Sequence, residues 1–326
     1  MNIEMIRKAA ARGGRHLRRT PLLYAPGLDE IAGRRVFVKA ESLQHTGSFK
    51  YRGARAAISA LMANGAPNGV IAFSSGNHAQ GVARAAREHG LAAVIVMPAD
   101  APRAKIDGTR ALGAEVVPYD RATEDRDAIG ANLAAARGLA LVKPFDDPEV
   151  IAGQGSVGLE LAEQAHAAGI ENAEVLVCCG GGGLTSGIAT ALAEEAPGMT
   201  VRPVEPVGFD DVGRSLRAGR IERNARTTGS ICDAILTPAP GEITLPIMSA
   251  HCGPALAVPD EDCLRAMAAA FRHLKLVLEP GGAIALAAAL FHGETLSSDP
   301  IIAIASGGNV DASLFQHALA TYGEGP

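Results

Sequence analysis

Cysteine is scarce and poorly spaced for structural work. Cys178, Cys179, Cys232, Cys252 and Cys263 form no C-x-x-C pair and are odd in number, which argues against a disulfide framework and a structural zinc site and fits a reducing cytoplasm. A basic stripe is also missing. The 326 residues carry a net charge of −5, so the electrostatic footprint of a nucleic-acid binder is lacking and no such partner is expected. No apolar run reaches the length of a bilayer span. Ala283 to Phe291 is among the longest and falls short, while Met1 to Arg19 is charged throughout and lacks the apolar segment of a signal peptide. A soluble cytoplasmic protein with no membrane partner is the expectation. There is no internal repeat or low-complexity tract, and lysine is sparse beside arginine.

What is present points to a large α/β protein. Hydrophobic residues make up 48% of the chain and glycine occurs 38 times, enough for a sizeable core with many strand-to-helix turns. The length suggests two lobes. Short β-branched runs (Val36–Val38, Val70–Phe73, Val94–Val96, Val116–Val117, Leu141–Val142, Val175–Val177, Val201–Val204 and Ile301–Ile304) alternate with Ala- and Leu-rich segments of helical length. That alternation predicts βαβ units around mostly parallel sheets covered on both faces. Breaks at Ala63–Gly69 and Pro144–Pro148 read as hinges. They divide the chain into a larger lobe, residues 1–60 and 148–326, and a smaller mobile lobe, residues 61–147, with a ligand cleft between two doubly wound lobes.

Chemistry is suggested first by Lys50, set between Phe49 and Tyr51 where a turn region enters an Ala-rich helix. A desolvated lysine has a lowered pKa and can form a Schiff base with a carbonyl compound. Alone, it reads more readily as an amphipathic side chain with its ammonium in water. The strand ending at Cys179 runs into Gly180, Gly181, Gly182 and Gly183 and then a helix, a cup of backbone amides suited to a phosphate. A dinucleotide fingerprint starting at Gly181 would need a third glycine at position 186, which is Ser186, although Glu205 lies at a suitable distance downstream. Ser74, Ser75, Gly76, Asn77 and His78 open another helix after a strand. They can hold a carboxylate, and Asn77 can meet a phenolic oxygen, though Ser and Asn are also ordinary helix caps. Ser306 follows the late strand, where a hydroxyl can meet a ligand nitrogen. Glu205, Asp210 and Asp211 place three carboxylates in one loop, which with a main-chain carbonyl read as ligands of a divalent cation or as solvated charges.

Together these segments resemble the fold type II pyridoxal-phosphate enzymes (tryptophan synthase β-like), in particular the threonine dehydratase and serine racemase family. The resemblance runs from Arg19-Thr20-Pro21-Leu22 to Ser306-Gly307-Gly308-Asn309-Val310-Asp311, with the motifs in the family's order. It implies that Lys50, in Glu41 to Lys50, carries pyridoxal 5'-phosphate, with Phe49 beside the ring. It also implies that Asn77 faces the phenolic oxygen, Gly180 to Gly183 bind the phosphate and Ser306 faces the pyridine nitrogen. Ser74 to His78 would hold the carboxylate of a small amino-acid substrate, with Lys50 as the base. Ser75 stands where many threonine dehydratases of the family have alanine and racemases have serine, so it would reprotonate the opposite face. Glu205, Phe209 and Asp211 fall where some members place magnesium or manganese. The implied reaction is dehydration of L-threonine or L-serine to a 2-oxo acid and ammonia in a homodimer. Serine racemisation and dehydration of 3-hydroxyaspartate are the family alternatives, and isoleucine feedback is not expected. A nicotinamide dehydrogenase or a non-catalytic binding module leaves Lys50 and Ser306 unexplained.

Overall fold

The computed structural model describes residues 1–74, 76–101, 103–120 and 122–323. These residues contain ten strands, eight at the apolar runs and two, the first and the ninth, outside them: β1 (Leu22–Tyr24), β2 (Val36–Lys39), β3 (Gly69–Phe73), β4 (Ala92–Pro98), β5 (Glu115–Tyr119), β6 (Leu139–Leu141), β7 (Ala173–Cys178), β8 (Met199–Pro206), β9 (Leu256–Val258) and β10 (Ile301–Ile304). The helices are α1 (Ile3–Gly13), α2 (Pro26–Ala32), α3 (Lys50–Ala63), α4 (Asn77–Glu88), α5 (Arg103–Ala111), α6 (Arg126–Arg137) and α7 (Pro148–Ala167). They continue with α8 (Gly183–Glu195), α9 (Asp211–Ala218), α10 (Thr244–His251), α11 (Asp260–Leu274), α12 (Pro280–Phe291) and α13 (Ala312–Tyr322). None of the described helices is long and apolar enough to cross a membrane.

The strands build two sheets. One has six strands in the order β1-β2-β10-β7-β8-β9, the other four in the order β5-β4-β3-β6. All pairings are parallel except β1 with β2. Every residue of β7 and of β10 is buried, which is why these strands read as continuous apolar runs. The strand order reverses at β10 and β7: the chain steps outward from β7 to β8 and β9, and β10 then returns to the other side of β7. In open α/β sheets the crevice at such a reversal, beyond the carboxyl ends of the strands, is where ligands sit.

Helix α3 sets the relation between the sheets. Its Tyr51, Ala54, Ala57 and Ile58 belong to the core of the four-stranded sheet with Val70, Ala72, Val82 and Ile95. Its other side meets α7 so closely that a Cβ at Gly153 would lie 2.6 Å from both the Ala56 Cβ and the Arg52 carbonyl oxygen. The lobe boundary expected at residue 61 therefore falls inside one continuous helix. The expected hinge at Pro144–Pro148 also starts α7: Asp147 accepts from the amides of Glu149 and Val150, and Pro148 takes the first helical position. An Asp-Pro pair is a helix-start signal.

A buried ionic cluster pins α3 in place. The Arg52 guanidinium donates to both Glu41 oxygens at 2.7 and 2.8 Å, to both Glu160 oxygens at 2.7 and 2.9 Å and to Ser156 Oγ at 3.1 Å. Lys39 Nζ donates to Glu160 at 2.6 Å and to the Thr20 carbonyl at 2.7 Å. Burial works against the Arg52 charge, but Glu41 and Glu160 outweigh it and hold its pKa above the ordinary value.

Candidate active site

Three chain segments end at one cavity because each follows a buried parallel strand. β7 delivers Gly180 to Gly183, β10 delivers Ser306, and β3 delivers Ser74, Gly76 and Asn77 at the start of α4. Lys50 is brought in by a fourth contact. The Phe49 amide donates to the Ser306 carbonyl at 3.1 Å and Ser48 bridges to Gly307, so the start of α3 is fastened to the turn after β10. The cavity has a volume of about 170 Å³. Ser75 lies outside the described residues.

Lys50 Nζ donates to the Pro144 carbonyl at 2.8 Å and lies 5.2 Å from the centre of the Phe49 ring. Burial pushes its pKa down to about 8, with Cys178 and Glu279 opposing that shift. Roughly a tenth of the amine is then neutral at pH 7, a few hundred-fold more than for an ordinary lysine, and the neutral amine is the form that attacks a carbonyl. Asn77 is held from both ends: its Nδ2 donates to Glu279 Oε1 at 2.5 Å and its Oδ1 accepts from Asn309 at 2.7 Å. Glu279 is itself buried, and burial lifts its pKa to about 7 against the opposing bond from Asn77. Ser306 Oγ accepts from the Cys178 thiol at 3.1 Å, and burial keeps that thiol protonated by raising its pKa to about 11.

The glycine cup needs its glycines. A Cβ at Gly181 would lie 2.3 Å from the Phe145 ring and one at Gly180 would lie 2.8 Å from Thr237 Oγ1, while Gly182 has φ of 89° just ahead of α8. The Gly181 carbonyl is fixed by the Thr244 hydroxyl at 2.6 Å and the Gly241 amide at 3.2 Å. Thr237 Oγ1 is buried beside the cup with no hydrogen-bond partner. An unpaired buried hydroxyl is costly unless a ligand satisfies it.

His78 and the expected cation ligands have protein partners of their own. The His78 ring is hydrogen-bonded to the Val142 carbonyl at 2.9 Å, and burial, followed by the nearby Lys50, drives its pKa down to about 3. It is therefore a neutral ring engaged elsewhere, and its contribution at the cavity is its place in the first turn of α4. Of the expected cation ligands, Glu205 accepts from the amides of Val212 and Gly213, both at 2.8 Å, capping the start of α9. Asp211 Oδ1 accepts from Asn224 at 2.5 Å, leaving its buried Oδ2 without a partner. Among the described residues no group of three or more His, Cys, Asp or Glu side chains is arranged to hold a metal.

Residues 14–307 match the family described as pyridoxal-phosphate dependent enzymes. The chain belongs to this family. Within it the chain falls among the fold type II threonine dehydratases and serine racemases. It is 39% identical over 311 residues to the L-threo-3-hydroxyaspartate ammonia-lyase of Saccharomyces cerevisiae, covering 95% of this chain and 94% of that one. It is 38% identical over 318 residues to the serine racemase of Schizosaccharomyces pombe, covering 97% and 96%. The crystal structure of a T.th. threonine deaminase superposes with a TM-score of 0.91 at 44% identity, covering 95% of this chain and 99% of that one.

The cofactor of this family is pyridoxal phosphate, and the residues present fit it. A depressed lysine amine suits its aldehyde, the unpartnered Thr237 hydroxyl and the glycine cup suit its phosphate, and Asn77 and Ser306 line the same cavity. Pro144, Phe145, Thr237 and Glu279 also line the cavity, and sequence reasoning did not find them. For Glu279 the local signal was an ordinary helix start, Glu279-Pro280, and for Phe145 a turn.

Proposed function

We propose that this enzyme is an ammonia-lyase for 3-hydroxy amino acids, the class that contains L-serine, L-threonine and 3-hydroxyaspartate. It removes the Cα proton and the β-hydroxyl as water, and the enamine released hydrolyses to a 2-oxo acid and ammonia. The observation that carries this reading is the half-buried Lys50 amine, with its pKa pushed down to about 8, lining the same cavity as the glycine cup and Asn77. Lys50 would hold pyridoxal phosphate, whose conjugated ring supplies the electron sink for the Cα charge. Gly180 to Gly183 and Thr237 would take the phosphate, and Asn77, braced by Glu279 and Asn309, would orient the ring.

The start of α4 offers backbone amides and positive potential to the substrate α-carboxylate, with Ser74 Oγ already accepting from the Gly76 amide at 3.2 Å. Lys50 would also serve as the base that takes the Cα proton. Ser306 would offer the ring nitrogen a neutral hydroxyl, which also accepts from Cys178, rather than a carboxylate, a setting that would favour prompt elimination over transamination. Borohydride reduction of the holoenzyme followed by peptide mass analysis should place the cofactor on Lys50. Lys50→Ala should lose both the yellow colour and 2-oxo acid formation, and a variant keeping both would reject the assignment.

A second activity, racemisation, is suggested by the residue type at position 75, a serine, for which the family resemblance implies a proton donor to the opposite face. D-serine lost selectively in Ser75→Ala would establish it; a chiral assay finding no D-product from the wild type would leave elimination alone. A magnesium or manganese ion at Asp211, with Glu205 and the Phe209 carbonyl, belongs to the same proposal and is supported by the partnerless Asp211 Oδ2.

A further inference from the structure

Lys105 belongs to α5, beside the four-stranded sheet, yet it lines the same cavity as Lys50, Asn77 and Ser306. Its Nζ donates to Asp233 Oδ2 at 2.9 Å, and Asp233 begins the short turn Asp233–Ile235. The far end of that turn packs on the glycine cup, where the Ile235 carbonyl oxygen would lie 3.1 Å from a Cβ at Gly180. The ion pair therefore crosses the cavity wall from one sheet's layer to the other's.

The two partners differ in a way that decides which of them can move. The Lys105 side chain is 16% exposed and that of Asp233 is 62% exposed. A largely desolvated ammonium needs an anion, whereas a carboxylate that is mostly in water can leave at small cost. Burial works against the Lys105 charge, but Asp233, with Glu279 and Asp311, outweighs it and raises its pKa above the ordinary value. The cavity thus presents a permanent cation whose counter-ion is exchangeable. Among the described cavity residues the other basic groups are occupied. Lys50 serves the cofactor, and the His78 ring is neutral and bonded to Val142.

We propose that Lys105 reads an acidic substrate side chain: the β-carboxylate of a 3-hydroxy amino dicarboxylic acid displaces Asp233 and pairs with the Lys105 ammonium. This rests on the elimination reading above and narrows it to the dicarboxylate member of the class. Serine or threonine, with no second anion, would enter beside an intact Lys105–Asp233 pair. Asp233 then acts as a stand-in counter-ion that lowers the affinity for the dicarboxylate without taking part in the chemistry.

The test compares L-threo-3-hydroxyaspartate with L-threonine on the holoenzyme, and succinate with butyrate as unreactive ligands in calorimetry. Removing one partner of a desolvated charge pair lowers binding by about 30-fold or more. Lys105→Met should therefore reduce the hydroxyaspartate-to-threonine ratio of kcat/KM by at least that factor, chiefly through KM, and abolish the preference for succinate. Asp233→Asn should do the reverse and lower KM for the dicarboxylate. An unchanged ratio in Lys105→Met overturns the proposal. So does an Asp233→Asn variant that behaves like Lys105→Met, because the pair would then act as a latch between layers. Should the wild type turn over neither amino acid, the elimination reading falls, and the succinate preference in wild type and variant still decides the role of Lys105.

Discussion

Arg52 and Lys50 stand two residues apart at the start of one helix, and both are charged groups taken out of bulk water. The Arg52 guanidinium has Glu41, Glu160 and Ser156 around it, each at hydrogen-bond distance, and its charge is fully compensated. The Lys50 amine has a single protein acceptor among the described residues, the Pro144 carbonyl, and its pKa falls to about 8. Its neighbours are displaced in the same manner: Glu279 rises to about 7 and Cys178 to about 11, burial being the main cause in both. Saturated burial fixes a position, whereas under-partnered burial leaves protonation states poised for reaction. The first region holds the helix so that the second can work.

The comparison can be broken in four places. Lys50→Ala should lower turnover by about 10⁴-fold with no loss of stability in denaturant unfolding, since its amine satisfies little; a large drop in stability would make it a structural lysine. Arg52→Met should do the opposite in kind, leaving the buried Glu41 without its ion-pair partner and Glu160 with Lys39 alone, at a cost of about 3–5 kcal/mol of unfolding free energy. An unchanged unfolding midpoint would remove Arg52 from the role given to it here.

The third place is pH. A lysine whose pKa drops from 10.5 to about 8 on burial is protonated below that value, and only the neutral amine captures an aldehyde. Stopped-flow capture of pyridoxal phosphate by the apoenzyme should therefore accelerate about tenfold per pH unit up to about 8 and then level off. In the unfolded chain the same amine stays protonated up to its ordinary value. Between about 8 and 10.5 the unfolded state thus binds the extra proton, and the apoenzyme gains stability from this group as pH rises. A capture rate still climbing steadily beyond pH 10 would mean the amine is hydrated. The smallest effect is expected for Glu279→Gln, which keeps an acceptor for Asn77 and should cost less than about tenfold in kcat/KM. Glu279→Ala should cost more, and equality of the two would show that the bond to Asn77 does not matter.

Much of the fold and of the site was legible because the chemistry sits where periodic apolar strands stop. β3, β7 and β10 each read as a strand ending in glycine or serine, and those endings converge. Lys50 was legible from its odd neighbours. The helices α1, α2, α9, α10 and α13 were not read. Met1 to Arg19 was read only as charged and lacking an apolar segment, whereas Asn2 caps α1 by accepting from the Met5 amide. The site residues that escaped notice contribute through contacts across the fold: Glu279 reaches Asn77 over a separation of 202 residues, and Phe145 and Thr237 matter only because Gly180 and Gly181 come to lie against them. His78 carried a motif, yet its ring is engaged by a carbonyl 64 residues away. Such pairings leave no local pattern to read.

The contact of Gly181 with the Phe145 ring also constrains how this enzyme can change over generations. With only 2.3 Å between the ring and any added Cβ, a methyl group at position 181 is admissible only in a lineage that has already shrunk the aromatic. A shrunken aromatic, in turn, opens a void against a bare backbone. Each substitution is unfit without the other, so the two sites should drift jointly or stay still, and a randomised library over both should return compatible pairs in place of independent winners.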